Sequence, residues 1–358
     1  QGVEISLSKV MEKDELFNIG NSDEYTRVRF GLFAAENITA ADGSVIPADG
    51  LISEISLAEN MSAKFDTALP FGKYYVQEIA TDEHYVLNGK KYLVNFEYMG
   101  QEVTTVTVDC GEFKNALKRG KISGKKVDEN EKSLENALFG LFAVDTAEFT
   151  ADNAYMTAVS DENGHFEFDK IPYGEYIVRE IEAPTGYILS DESYPVTISE
   201  DGEVIEIKAV NKSTKVRISK QDITTGEERP GATLQIIDED GNVATEWVST
   251  DEAHFIEGKL IAGKEYTLRE TIAPDGYEIA SEIKFTVNTD GSVTEVVMYD
   301  EHTPDLETPP TVTIDTPNTG VSTDNGAELY LIAAAVIMAF GMLICKKNDK
   351  KQRKDDVK

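Results

Sequence analysis

The feature that most constrains this chain is a short segment that occurs three times. FGKYYVQE (71–78), YGEYIVRE (173–180) and AGKEYTLRE (262–270) each place a Gly turn ahead of an alternating stretch that ends in Glu. The second and third continue as IEAPTGY (181–187) and TIAPDGY (271–277), while the first reads IATDEHY (79–85). Each is preceded by an alternating strand ending in Lys, namely VEISLSK (3–9), ISGKK (122–126) and VRISK (216–220). Each is followed by a strand that closes on Asn115, Asn211 or Asp300. Internal repetition makes the unit, rather than the chain, the thing that folds. Period-2 strands, Asp-Gly and Asn-Gly turns (Asp42-Gly43, Asn163-Gly164, Asp201-Gly202, Asp240-Gly241, Asp290-Gly291) and the lack of a sustained 3.6-residue period predict an all-β chain of three tandem sandwiches. The first copy is the longest. Its excess falls in AADGSVIPADG (40–50), read as an inserted loop or hairpin.

Strand parity then points charge inward. Tyr74, Val76 and Glu78 share a face, as do Tyr176, Val178 and Glu180, and Tyr266, Leu268 and Glu270. Lys9 shares a face with Val3, Ile5 and Leu7, and Lys220 with Val216 and Ile218. Asn211 follows Ile205, Ile207 and Ala209, and Asp300 follows Val296 and Met298. Copy one is irregular: Val106 and Val108 oppose Phe113 unless a bulge intervenes near Gly111, and Lys13 is a second candidate amine. Desolvation drives a buried Lys and a buried Glu towards their neutral forms, an amine nucleophile and a carboxylic acid. Beside an Asn carboxamide this pair favours amide exchange with loss of ammonia; beside Asp300 the leaving molecule is water.

These motifs resemble the collagen-adhesin B-type (Cna-B, or SpaA-like) repeat over residues 1 to about 302. In the third copy the resemblance is carried by WVSTDEAHFIEG (247–258), the Glu270 strand with APDGY, and VVMYDEHT (296–303); in the second by KVD (126–128) and ALFGLFAVD (137–145). In the first, Met11 stands where the Lys-x-Asp pattern has Asp. The resemblance implies an intramolecular isopeptide bond in each unit. It would join Lys9 to Asn115, Lys126 to Asn211 and Lys220 to Asp300, with Glu78, Glu180 and Glu270 as the catalytic carboxyl groups. This is single-turnover self-modification rather than enzymatic turnover, and it needs no cofactor. Expected domains are 1–119, 120–213 and 214–302.

The last segment carries an address. TPNTG (Thr316, Pro317, Asn318, Thr319, Gly320) precedes Leu329 to Cys345, 17 residues without a charge that would extend about 26 Å as a helix. KKNDKKQRKDDVK (346–358) follows, with seven Lys or Arg against three Asp, a basic tail of the kind that marks the cytoplasmic side. The order of pentapeptide, transmembrane span and basic tail resembles the cell-wall sorting signal of Gram-positive surface proteins, L-P-x-T-G, with Thr316 in place of Leu. It implies that a sortase cleaves between Thr319 and Gly320 and joins Thr319 to peptidoglycan, so that the precursor sits in the membrane only until sorting. Residues 303–319 read as a Pro-rich wall linker, with Pro304, Pro309, Pro310 and Pro317. The start has no initiator Met and no basic-then-apolar leader, so an export signal is expected to have been removed.

Composition excludes other classes. With 34 Lys plus Arg against 66 Asp plus Glu the net charge is −32, which is unsuited to nucleic acid. Cys110 and Cys345 fall on opposite sides of the expected membrane boundary, so no disulfide is expected. His84, His165, His254 and His302 have no metal-ligand spacing, no metal site is expected, and DEDGN (238–242) reads as a hairpin turn rather than a calcium loop. Two functions follow. The chain is the stalk of an adhesin or accessory pilin whose host or matrix ligand binds further upstream; alternatively, it displays an upstream catalytic head. Tyr194-Pro195-Val196 lacks the Pro-Lys acceptor of a polymerising pilin subunit.

Overall fold

A computed structural model describes residues 1–304. These residues are built almost wholly from strands, with two single-turn 3₁₀ helices at Glu24–Arg27 and Ala151–Asn153. Three sandwiches follow one another, each a three-stranded sheet against a four-stranded one. In the first, the Lys strand Gly2–Met11 lies between Ser62–Thr67 and the closing strand Thr105–Asn115. Its second sheet orders Leu51–Ser56, Arg29–Ala34, the Glu strand Gly72–Ala80 and Tyr92–Phe96. The second repeats this with His165–Pro172, Arg119–Asp128 and Val204–Asn211 against Met156–Val159, Leu138–Ala143, Gly174–Glu182 and Ser193–Ile198. The third uses His254–Glu257, Lys215–Asp222 and Val293–Asp300 against Val243–Val248, Thr233–Ile237, Glu265–Ile272 and Ile283–Thr286.

In every sandwich the first strand pairs in parallel with the last. Parallel neighbours cannot be joined by a tight turn, so the whole unit is the crossover between them. The alternation anticipated along the strands is the burial pattern observed: Val3, Ile5, Leu7 and Lys9 are buried, with exposed or half-buried residues between them. Each sandwich closes over its own apolar core, centred on Phe30, Phe65 and Phe113 in the first, Phe139, Phe166 and Phe168 in the second, and Leu234, Leu268 and Met298 in the third.

Copy one reconciles its broken parity through a bulge. The register of the closing strand moves from Ser6↔Asp109 to Ser8↔Glu112, so Cys110 and Gly111 together occupy the space of one residue. Gly111 supplies the required left-handed backbone, at φ +73°. Val106 and Val108 therefore pack on the same core as Phe113. Cys110 is buried, and burial pushes its thiol up to about 11. Within the 40–50 segment, Val45–Ile46 pairs with Ile38–Thr39 as a short hairpin. DEDGN links the paired strands Thr233–Ile237 and Val243–Val248, a hairpin as expected.

Adjacent sandwiches meet through specific contacts. Arg119 donates to Glu12 at 2.9 Å and Asp14 at 3.0 Å, and Phe17 of the first unit stacks against Tyr155 of the second at 4.6 Å. At the next junction Gly186, at φ +86°, lies so close that a Cβ would stand 2.2 Å from the Gly258 carbonyl oxygen. Thr214 Oγ1 donates to the Gly186 and Leu260 carbonyls at 3.1 and 2.7 Å. Among the described residues no helix is long and apolar enough to cross a membrane. The expected span Leu329–Cys345, the TPNTG pentapeptide and the basic tail lie outside the described residues.

Candidate functional site

The strands deliver the nine expected side chains to three matching clusters. In each three-stranded sheet the Lys pairs with the residue two positions before the closing one: Lys9↔Phe113, Lys126↔Ala209, Lys220↔Met298. Since alternate residues of a strand share a face, Asn115, Asn211 and Asp300 lie diagonally ahead of their amines on the inner side. The Glu comes from the facing sheet. All nine residues are at most 3% exposed.

In the first cluster Lys9 Nζ lies 2.5 Å from both Glu78 Oε1 and Asn115 Oδ1. Asn115 Nδ2 donates to Glu78 Oε2 at 2.9 Å and Oε1 at 3.1 Å, and to Thr81 Oγ1 at 2.9 Å. Lys13, the second candidate amine of this copy, is exposed and stands outside the cluster. In the second, Lys126 Nζ contacts Asn211 Oδ1 and sits 3.1 Å from Glu180 Oε1, which also accepts from Asn211 Nδ2 at 2.9 Å. In the third, Lys220 Nζ contacts Asp300 Oδ1 and lies 3.3 Å from Glu270 Oε1. Glu270 Oε1 and Asp300 Oδ2 are buried without a hydrogen-bond partner. Each of these carboxyl groups thus keeps one oxygen free to take part in a further hydrogen bond.

Electrostatics match the chemistry. Burial holds the Lys9 and Lys126 amines below the usual lysine range, against the pull of Glu78 and Glu180. Burial, reinforced by Asp300, raises the Glu270 carboxyl above the usual carboxylate range, although the Ala280 amide and Lys220 oppose it. The amines of Lys9 and Lys126 lie over the rings of Phe30 and Phe139, at 5.7 and 5.6 Å from the centroids. A buried amine, a carboxyl group and a carbonyl carbon are thus held together out of water, an arrangement suited to condensation.

Side-chain parity missed one element of the site. The second oxygen of each Glu accepts a backbone N–H, from Asn88 at 2.7 Å, Ser190 at 3.0 Å and Ala280 at 2.6 Å. The donor lies ten residues beyond the Glu in every copy, so a constant loop length was the available signal. The Tyr that ends each turn motif, Tyr85, Tyr187 or Tyr277, bridges to the chain just past the closing residue, at Leu117, Ser213 or His302. Asp222, buried at the Lys-x-Asp position, accepts from Tyr277 Oη at 2.7 Å and Arg229 at 3.0 Å and is held well below the usual carboxylate range, chiefly by the Tyr277 bond. Where copy one has Met11 instead, Tyr85 Oη donates to the Glu12 carbonyl at 2.9 Å. His254 stacks on Trp247 at 4.4 Å, a packing role. Among the described residues no group of His, Cys, Asp and Glu is arranged to hold a metal.

Fold and clusters define a class of tandem prealbumin-like sandwiches, each with a buried Lys, Glu and Asn or Asp. Residues 120–213 and 214–302, together just over half of the chain, match the model of the SpaA prealbumin-like fold domain, and the chain belongs to that family. It is similar to the trypsin-resistant surface T6 protein of Streptococcus pyogenes, with 28% identity over 111 residues, 31% of this chain and 20% of that protein. It is also similar to the collagen adhesin of Staphylococcus aureus, with 26% identity over 147 residues, 39% of this chain and 12% of the adhesin. The chain therefore spans only a small part of the length of these relatives. Among solved structures, the Bacillus anthracis TIE protein aligns at TM-score 0.49 and 22% identity, over 84% of this chain and 51% of that one. BcpA, the major pilin subunit of Bacillus cereus, aligns at TM-score 0.41 and 14% identity, over 85% of this chain and 100% of that one.

Proposed function

We propose that this chain is a load-bearing stalk of a Gram-positive surface protein, an adhesin or accessory pilin, whose three sandwiches cross-link themselves. The observation that carries the reading is the threefold contact of a buried Lys with a buried Glu and a closing Asn or Asp. Each amine attacks its neighbouring carbonyl carbon while Glu78, Glu180 or Glu270 relays protons; ammonia leaves from Asn115 and Asn211, and water from Asp300. Contact in a water-free site supplies effective molarities on the order of 10⁵ M or more. The bond ties the first strand of a unit to its last, so force along the chain passes through it and bypasses the sheets.

Attachment to peptidoglycan by a sortase at Thr319, with the membrane span as a transient anchor, completes the reading. It is supported by the sorting-signal resemblance and by the surface proteins among the relatives. A matrix or host ligand would bind outside these repeats. Two experiments test the proposal. Tryptic mapping of the purified ectodomain is expected to yield branched peptides joining Lys126 to Asn211 and Lys220 to Asp300; only linear peptides there would overturn the cross-link. A purified sortase supplied with an amine nucleophile is expected to release a product ending at Thr319, and Thr319→Ala should abolish that release.

A further inference from the structure

We propose that Thr81 is a positioning residue for bond formation in the first sandwich, one that holds the departing nitrogen of Asn115; the inference rests on the amide exchange set out above. Thr81 stands three residues past Glu78, where the other copies carry Ala183 and Ala273. It therefore falls where copy one abandons the Ala-Pro-x-Gly sequence. In the second sandwich Asn211 Nδ2 has one side-chain acceptor, Glu180 Oε1. The third has an acid rather than a carboxamide. Only Asn115 offers its nitrogen to three acceptors, the two oxygens of Glu78 and Thr81 Oγ1.

The count matters because the nitrogen changes during the reaction. The Lys9 ammonium passes a proton to the Glu78 carboxylate, and the neutral Nζ attacks Cγ of Asn115. A second Nζ proton and the one on Glu78 are transferred in turn to Nδ2 and to the departing ammonia. The Nζ–Cγ bond forms, the Cγ–Nδ2 bond breaks, ammonium leaves and Glu78 returns to carboxylate. The resting carboxamide has two N–H groups for three acceptors, whereas the protonated leaving nitrogen has three. Thr81 thus complements the state in which the C–N bond breaks better than the resting state, the condition for accelerating a step.

The test follows bond formation after cell-free synthesis of the whole chain, quenched in acid at intervals and read as the mass of the first-sandwich peptides. Thr81→Val, which keeps the shape and removes the acceptor, is expected to slow closure of the Lys9–Asn115 bond about tenfold, the effect of one lost hydrogen bond. Thr81→Ser is expected to restore the rate. The Lys126 and Lys220 bonds serve as internal controls and should form on schedule in both variants. Thr81→Ala, which copies the residue of the other two sandwiches, is expected to behave like Val and covers the case in which Val disturbs folding. Closure of the first bond at the wild-type rate in both Val and Ala, or a Ser variant as slow as Val, would overturn the role of Thr81. Absence of the first bond from the wild-type chain would instead overturn the amide exchange in that sandwich.

Discussion

Asn211→Ala isolates what one cross-link contributes. The substitution removes the acceptor carbon but leaves the Lys126–Glu180 pair in place, 3.1 Å apart, so no buried charge is orphaned. The bond would close a loop whose ends are 85 residues apart. In the chain-entropy treatment of cross-links, closing such a loop removes about 4.5 kcal/mol of freedom from the unfolded chain. Loss of the hydrogen bond that the amide N–H of the cross-link, formed at Lys126 Nζ 3.1 Å from Glu180 Oε1, would make to Glu180 adds about 1 kcal/mol. The second sandwich should therefore lose about 4–6 kcal/mol, and at roughly 4–8 °C per kcal/mol for a domain of this size its melting transition should fall by about 20 °C or more. Differential scanning calorimetry of the ectodomain resolves this as displacement of one transition, with mass spectrometry confirming that only that bond is absent. Asn115→Ala opens a loop of 106 residues and, because the dependence is logarithmic, should displace its own transition by nearly the same amount. A transition that moves by less than about 5 °C once the bond is shown to be missing would refute the argument that the loop constraint dominates.

Three further outcomes are expected. Glu270→Ala should leave Lys220 and Asp300 unjoined, so the third sandwich keeps its full mass while the other two react; joining at the normal extent would remove Glu270 from the mechanism. In Lys220→Met, Glu270 stays buried with Asp300 and without its cation. Burial already raises its folded value above the ordinary 4.5, so its contribution is fully present below about pH 4.5 and is lost as pH rises through the folded value. Denaturant titrations should therefore show Lys220→Met losing stability with rising pH relative to Lys220→Met/Glu270→Gln, and parallel pH profiles would contradict this. Gly186→Ala forces a Cβ against the Gly258 carbonyl oxygen at φ +86° and should cost about 1–3 kcal/mol at the junction of the second and third sandwiches while sparing all three bonds. Limited proteolysis should show faster cleavage near Thr214.

Much of this architecture was legible because period-2 alternation leaves little freedom: once Val3, Ile5 and Leu7 face the core, Lys9 faces it too. The same reasoning brought Glu180 and Asn211 together from opposite sheets. It could not decide copy one, where the closing strand changes parity at Cys110 and Gly111; a bulge shows as a register shift against a partner strand, which one strand alone does not display. Backbone donors were invisible for a different reason. The Asn88, Ser190 and Ala280 amides carry no side-chain signature, and only their common distance from the Glu marks them. Thr81 was hidden because it lies where the repeat departs from its own pattern. The junction contacts of Gly186 and Arg119 depend on how one unit meets the next, which a reading of single strands does not contain.

The central claim, that each sandwich joins its own ends, is tested most directly by the intact mass of the purified ectodomain. Two condensations that release ammonia and one that releases water predict a mass about 52 Da below that of the unreacted chain. A mass equal to the unreacted value, measured on folded protein, would contradict the account.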